Sequence, residues 1–335
     1  MKIAIYDTNT IQKYNPDILF SQGIGGSETA IIQTALALQR RGHIVEVFIN
    51  CLSPGRYNNV LYDHYRNFIL SNTRYDLFIG CESFPDKINA SKVINWVHRP
   101  GIRNILKFPF VDSIVLVSHW QKMHFQSLPS ALRNRVVIIE NGVEDCYYTE
   151  NTKSYHKIIY AGFPGKGGMS VLPALLNRLG YPFQIDVYGS ASLWGKEDVK
   201  FKTLYSHLKN AGINYFGQVG SNQLSKALSR AAIFIYPVGR IHLETFGLVV
   251  AQAMAAKCAV VSSAEGNLGN LLSDHRGIVI KGDIFSPEWV DEASNHIKDL
   301  TSNEKYRNSF INSAYTYIRN FTWERTAKKY ENLIN

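Results

Sequence analysis

Short apolar runs alternate along the chain with longer stretches in which apolar residues recur every three to four positions. In the first half IAIYDTN, VEVFIN, DLFIG, KVINWVH and SIVLVS read as buried strands, and residues 28–40 read as a helix. A polar stretch over 149–156 interrupts the pattern, which then restarts. KIIYAG, FQIDVYGS, INYFGQ, AIFIYP and CAVVSS read as strands, with helical segments over 171–179 and 222–230. Repeated strand-then-helix alternation predicts an α/β chain with parallel sheets covered by helices, in two similar halves that meet near residue 150. In the last segment, TWERTAKKYENLI, the residues Trp323, Ala327, Tyr330 and Ile334 fall on one helical face and predict a docked terminal helix.

Composition narrows the class without naming an activity. The 335 residues are 45% hydrophobic and 19% charged, a profile that can bury sizeable cores. The length corresponds to roughly two domains of about 150 residues, and two-domain chains offer clefts for ligands. No run approaches the ~20 apolar residues of a membrane helix, and MKIAIYD reads as a strand rather than a signal peptide, so a cytoplasmic protein is expected. The four cysteines, Cys51, Cys81, Cys146 and Cys258, stand apart with no C-x-x-C pair, which argues against disulfides and structural zinc. The net charge of +9 favours anionic partners such as nucleotides, phosphorylated lipids or an acidic membrane face. Because the basic residues are dispersed, no nucleic-acid partner is expected.

Several motifs carry candidate chemistry. Gly23-Ile24-Gly25-Gly26-Ser27-Glu28 precedes the first helix, which Ser27 can cap. A glycine-rich helix start lets backbone N–H groups approach a phosphate, and the same residues serve equally well as a turn into the helix. A dinucleotide fingerprint is not matched. It needs glycine where Glu28 stands, a position directly after the first strand, and an acid where the second strand ends in Asn50. In YAGFPGKGG, Lys166 stands between a strand and a helix, where its ammonium can meet a diphosphate, or simply be solvated. Gly167 after it departs from a P-loop. In HLETFGLVVAQAMA, Glu244 precedes a helix and Gln252 lies within it, so a ligand at the helix start can meet backbone donors and both side chains. His98, in NWVHRPG, follows a strand end, where ligands of open α/β sheets collect. Asn141-Gly142-Val143 reads as a turn and hinge, and Arg240 and His242 as loop residues able to face phosphates.

Taken in order, the Gly-Gly loop, NWVHRPG, VSHWQ, IENGVE, YAGFPGKGG, IDVYG, INYFGQV, LETFGLVVAQAMA and FTWERTAKKY resemble the family-four (GT4-like) glycosyltransferases of the GT-B fold, over nearly the whole chain. The resemblance implies two Rossmann-like domains facing each other across a cleft. Residues 1–150 would form the acceptor side, with the helix 322–335 packing back on it, and 151–321 would bind the nucleotide sugar. It implies retaining transfer of a hexose from a nucleoside diphosphate sugar, a UDP-sugar being favoured and GDP-mannose the alternative. The acceptor would be a glycan or lipid-linked sugar of polysaccharide biosynthesis, with peripheral association at the inner membrane face. By the same likeness His98 and Glu244 are the catalytic residues. Gly25, Gly26, Lys166, Arg240, Thr245, Phe246, Gly247, Leu248 and Gln252 would contact the nucleotide sugar, Lys166 at the diphosphate and Gln252 at the ribose hydroxyls.

Three departures stand out. The family signature is E-x7-E, and here Glu244 is followed at that spacing by Gln252, an amide that loses the charge-assisted bond. Phe163 and Pro164 replace the arginine or serine expected after Gly162, leaving no partner cation for Lys166. Lys257 replaces a helix-ending glycine, and since a left-handed terminus costs lysine more, this helix is expected to end differently. Gln252 also motivates a second reading, a glycosyltransferase-like binding subunit without turnover, and an epimerase of GT-B fold is a third. No cofactor is expected, and no D-x-D occurs to chelate a metal. Transfer should therefore persist under stringent chelation; a loss that Mn²⁺ or Mg²⁺ restores would count against metal independence.

Overall fold

A computed structural model describes residues 1–70, 73–101 and 103–334. The chain divides into two units: Met1–Leu19, Ile24–Gly142 and the segment from Phe321 onward form unit 1, and Phe20–Gly23 with Val143–Asn320 form unit 2. The α/β class with two Rossmann-like halves, expected from the alternation, is the observed one.

Unit 1 contains β1 (Lys2–Tyr6), β2 (Ile44–Ile49), β3 (Gly55–Tyr57), β4 (Val60–His64), β5 (Tyr75–Gly80), β6 (Ala90–Val97), β7 (Ser113–Leu116) and β8 (Val136–Ile138), in the spatial order β3-β4-β2-β1-β5-β6-β7-β8. The pairings are parallel except for the β3–β4 hairpin. Ile3, Ala4 and Ile5 of β1, and Leu77, Phe78 and Ile79 of β5, are fully buried, as both faces of a parallel sheet demand. Helices α1 (Pro16–Ser21), α2 (Gly26–Arg40), α3 (Arg103–Leu106), α4 (His119–His124) and α5 (Ser130–Arg133) connect the strands. Ser27 does not cap α2: the helix begins at Gly26, two residues before the expected start at Glu28, with Gly25 as its N-cap and no side-chain cap bond.

The terminal helix Trp323–Glu331 is capped by Thr322, whose side chain accepts from the Arg325 N–H. It ends before Ile334, so the apolar face is made by Trp323, Ala327 and Tyr330, and Asn335 lies outside the described residues. The helix lies along α2. The Tyr330 ring sits 5.5 Å from that of Trp96, and Thr326 Oγ1 donates to the Glu140 carbonyl at 2.8 Å. A Cβ on Gly142 would fall 2.4 Å from the Trp323 nitrogen, so the turn expected at Asn141-Gly142-Val143 is also a packing site for this helix. At its rim the Glu331 carboxylate accepts from Arg41 Nε at 2.7 Å and lies 2.6 Å from His43 Nε2.

Unit 2 contains β9 (Ser154–Ala161), β10 (Gln184–Tyr188), β11 (Asn214–Gly217), β12 (Ala231–Tyr236), β13 (Ala259–Ser263) and β14 (Ile278–Ile280), all parallel, in the order β11-β10-β9-β12-β13-β14. Numbered within the unit, this is the 3-2-1-4-5-6 order of the doubly wound nucleotide-binding fold. The helices are α6 (Gly168–Leu179), α7 (Lys202–Asn210), α8 (Ser221–Arg230), α9 (Leu248–Ala255), α10 (Leu268–Leu271), α11 (Pro287–Ser302) and α12 (Glu304–Ile318). Two sequence expectations change here. The polar stretch 149–156 is shorter as a linker, because β9 already begins at Ser154, with Ser154, Tyr155 and His156 exposed. Helix α9 does end left-handed despite its lysine: Lys257 takes φ 57°, its N–H bonded to the Met254 carbonyl. The Lys257 side chain contacts Glu150, and its Nζ lies 4.7 Å over the Tyr315 ring, contacts a glycine could not make.

No helix among the described residues is long and apolar enough to cross a membrane. The Glu331 contacts generate a pH prediction for unit 1. Bonding to Arg41 first, and to His43, holds the Glu331 carboxyl down to about 2 from an ordinary 4.5. Its contribution to stability is present above 4.5 and lost as pH falls toward 2. Thermal unfolding at pH 7 should show Glu331→Gln destabilised by roughly 1 kcal/mol. The difference from wild type should shrink as the pH is lowered toward 3.

Candidate active site

In unit 2 the chain leaves β9 toward β10 on one side of the sheet and leaves β12 toward β13 on the other. Two neighbouring strands whose connections diverge leave a crevice at their carboxyl ends, and ligands of this fold class bind there. The turn after β9 carries Lys166, at the end of the 3₁₀ segment Pro164–Lys166. β12 ends in Tyr236, and the loop after it carries Glu244. The three side chains form one network: Lys166 Nζ donates to Glu244 Oε1 and, at 3.2 Å, to the Tyr236 hydroxyl, which donates to Glu244 Oε1 at 2.8 Å. Burial raises the Tyr236 phenol well above its ordinary value, so it stays a neutral donor.

Backbone fit holds this network in place. Gly168 opens α6 so close to β12 that a Cβ there would lie 2.2 Å from the Pro237 carbonyl oxygen. Gly266 takes φ 68°, and a Cβ on it would fall 2.3 Å from the Glu244 carbonyl oxygen, so only glycine lets that segment run alongside Glu244. Asn267 completes the clamp: its N–H donates to the Glu244 carbonyl at 2.7 Å and its Nδ2 to the Phe246 carbonyl at 2.9 Å.

The remaining unit 2 candidates fall around this centre. Gly247 takes φ 90° as the N-cap of α9, a left-handed position that suits glycine. Leu248 opens the helix, so the backbone N–H groups of its first turn are free of intrahelical partners. Phe246 is buried, Thr245 half-buried, and Arg240 exposed on the loop between β12 and α9. Where an arginine or serine is expected after Gly162, Phe163 packs against Trp194 with ring centroids 4.9 Å apart. Lys196 Nζ lies 4.8 Å over the Phe163 ring, beside a cavity of about 480 Å³ that Phe163, Lys196, Lys200 and Phe201 help to line.

Gln252 faces inward from α9 and is buried. Its Nε2 lies 3.4 and 3.2 Å from the two carboxylate oxygens of Glu144, which is buried at the start of the 3₁₀ turn Asp145–Tyr147. Burial pushes the Glu144 carboxyl up to about 7, offset in part by hydrogen bonds from its own backbone N–H and from Gln252.

Unit 1 holds the other candidates. Gly25 is buried and takes φ −63°, a conformation open to any residue, and Gly26 is exposed at the start of α2. His98 follows β6, its ring centroid 4.5 Å from that of Trp96 and its N–H donating to Glu82 Oε1 at 2.6 Å. Burial, with Arg99 beside it, pushes the His98 imidazole down to about 3, so it is neutral at physiological pH. At the carboxyl ends of β1 and β5 the Thr10 hydroxyl bridges Asp7 Oδ2 at 2.7 Å and Glu28 Oε1 at 2.8 Å. Burial raises both carboxyls. A cavity of about 720 Å³ opens nearby, with Asn9, Glu82, Asp86, Phe84, Phe108 and Phe110 in its wall.

Tyr236, Gly266, Asn267 and Glu144 were absent from the sequence-derived set. Tyr236 had a signal in hindsight, a hydroxyl ending an otherwise apolar strand run. Gly266 and Asn267 had only a generic turn composition, and Glu144 required knowing what lies opposite Gln252.

With the geometry established, comparison places the chain among known proteins. Residues 168–317 match the family described as glycosyl transferases group 1. An uncharacterized glycosyltransferase of Methanocaldococcus jannaschii is 27% identical over 229 residues, 66% of this chain and 60% of that protein. The chain thus aligns with less than two thirds of that curated relative. Among solved structures, sucrose-phosphate synthase from Thermosynechococcus elongatus superposes with a TM-score of 0.79 at 14% identity, covering 99% of this chain and 98% of that one. Anabaena HepE in complex with UDP-glucose gives 0.73 at 14% identity, covering 99% and 98%.

The Glu144 environment yields a stability prediction. A carboxyl raised in the folded state favours folding while protonated and opposes it as pH rises through its folded value of about 7. Glu144→Gln should raise the melting temperature at pH 8 and give a much smaller gain at pH 5; an equal change at both would contradict the buried-acid assignment.

Proposed function

We propose that this chain, whose residues 168–317 match the group 1 glycosyltransferases, is a GT4-like hexosyltransferase of the GT-B fold with the parts of a nucleotide-sugar site, acting with retention of configuration. It takes the sugar from a nucleoside diphosphate sugar, a UDP-sugar before GDP-mannose, and passes it to a glycan or lipid-linked acceptor. The observation that carries this reading is the Lys166–Tyr236–Glu244 network, set at the strand reversal of unit 2 and followed directly by the N-terminus of α9. The complex of Anabaena HepE with UDP-glucose supports the choice of a UDP-sugar.

Each group has a role that its chemistry suits. The diphosphate meets the Lys166 ammonium and the unpaired N–H groups that open α9, a preorganised positive potential where negative charge develops as the glycosidic bond breaks. Lys166 then exchanges Glu244 for phosphate, and Tyr236 keeps the freed carboxylate in position to accept from donor sugar hydroxyls. Gln252 takes the ribose, and Thr245, Phe246, Gly247 and Leu248 form the wall of this site, with Arg240 at its rim. In unit 1, His98 offers a neutral hydrogen-bonding group and the Gly25-Gly26 helix start offers backbone donors that suit a phosphate. The unit 1 cavity, with aromatic faces beside Glu82 and Asp86, suits a hydroxyl-rich acceptor. No metal is assigned a step, and the positive charge of the chain fits peripheral association with an acidic membrane surface.

Thermal unfolding with UDP, GDP, ADP and their sugar conjugates, without added metal, tests the donor site. A ligand at ~100 times its dissociation constant stabilises the native state by about 2.7 kcal/mol, a shift of several degrees. A shift with uridine nucleotides that Lys166→Ala removes is the expected result. No shift with any nucleotide on folded protein would overturn the reading in favour of a binding subunit that does not use nucleotide sugars.

A further inference from the structure

A glutamine presents a donor and an acceptor of nearly the same shape, so its meaning in a site depends on what fixes its orientation. Gln252 has such a partner. The Glu144 carboxylate, when ionised, can only accept, and its two oxygens lie 3.4 and 3.2 Å from Gln252 Nε2. Above pH 7, where Glu144 is ionised, the amide nitrogen is committed to Glu144 and Oε1 is the atom left for another partner. Among the described residues no group donates to Gln252 Oε1, and that oxygen is not one of the sealed side-chain atoms lacking a partner.

We propose that Glu144 is a positioning residue for nucleotide recognition: it holds Gln252 with Oε1 outward as an acceptor for a ribose hydroxyl, and it supplies from the 143–147 segment the acidic group that position 252 lacks. This rests on the donor-site reading above. Two further observations support it. The turn bearing Glu144 packs against both α8 and α9, so the carboxylate is placed by backbone and not by a flexible loop. Glu144 is also an acid although burial opposes its charge, a cost that an apolar residue at the same place would avoid.

A hydrogen bond that merely tied the turn to α9 would leave ligand discrimination untouched, which makes the alternatives separable. The experiment titrates UDP and 2′-deoxy-UDP into the full chain by calorimetry, for wild type, Glu144→Gln, Gln252→Glu and the exchanged double variant Glu144→Gln/Gln252→Glu. Wild type should prefer UDP. Glu144→Gln should weaken UDP about tenfold and 2′-deoxy-UDP less than twofold, because a site built around a hydroxyl loses most when that bond is lost. Gln252→Glu, which sets two acids in contact, should weaken UDP similarly, and the exchanged variant should return to within about threefold of wild type. Glu144→Gln removes a buried charge and is expected to fold; should it not, the exchanged variant carries the test alone. Equal losses for both ligands, no loss in Glu144→Gln, or a folded exchanged variant that stays weak would each overturn the proposal. A wild type that binds no nucleoside diphosphate would overturn the functional reading as well, whereas tight wild-type binding indifferent to Glu144 would overturn this inference alone.

Discussion

The pairing of β9 with β12 is the constraint on which the candidate site depends. The two strands are adjacent in the sheet, yet the loops that follow them are brought together across 78 positions of sequence between Lys166 and Glu244. Because the chain leaves these strands in opposite directions, no connection covers their ends, and the gap is filled by side chains. The sheet thus does the positioning, and the loops contribute only an ammonium, a carboxylate and the start of a helix.

Small residues determine how closely these pieces approach. Gly168 and Gly266 are required by contact, at the Pro237 and Glu244 carbonyls respectively, while Gly247 is required by a left-handed turn. Charge then sorts the interior. Lys166 and Glu244 offset each other, Tyr236 adds a neutral donor, and Glu144 shares its site with an amide instead of a cation. The candidate site is therefore polar and internally bonded, and an anion that takes Lys166 has to displace its bond to Glu244.

Much of this was legible in the sequence, for reasons that can be traced to particular residues. The apolar runs of β9, β10, β12 and β13 are nearly continuous because both sheet faces are covered, so their existence and type were plain. Boundaries were less so: the first residues of β9 are exposed and polar, and composition placed them in a linker. The β3–β4 hairpin is short and half-buried, with too few residues to display a period. Ser27 looks like a cap because residue type favours that role, yet the backbone enters the helix two residues sooner, at Gly26. Lys257 shows tertiary contacts outweighing a local preference, since its ion pair and its stacking on Tyr315 accompany a conformation that lysine disfavours. Lys166, Glu244 and Gln252 were found by motif, whereas Tyr236 and Glu144 belong to the site only through three-dimensional proximity.

The terminal helix bears on how the protein is made. Unit 2 is continuous from Val143 to Asn320 apart from the short segment Phe20–Gly23, while unit 1 takes its last helix from beyond residue 320. Trp323 and Tyr330 fill positions in unit 1 that nothing earlier in the chain occupies, against Gly142 and Trp96. During synthesis the first sheet emerges early but waits with that surface uncovered until the segment beyond residue 320 has left the ribosome. The unit translated first is thus completed only after unit 2 has been made, and until then the aromatic seam around Trp96 lacks its cover.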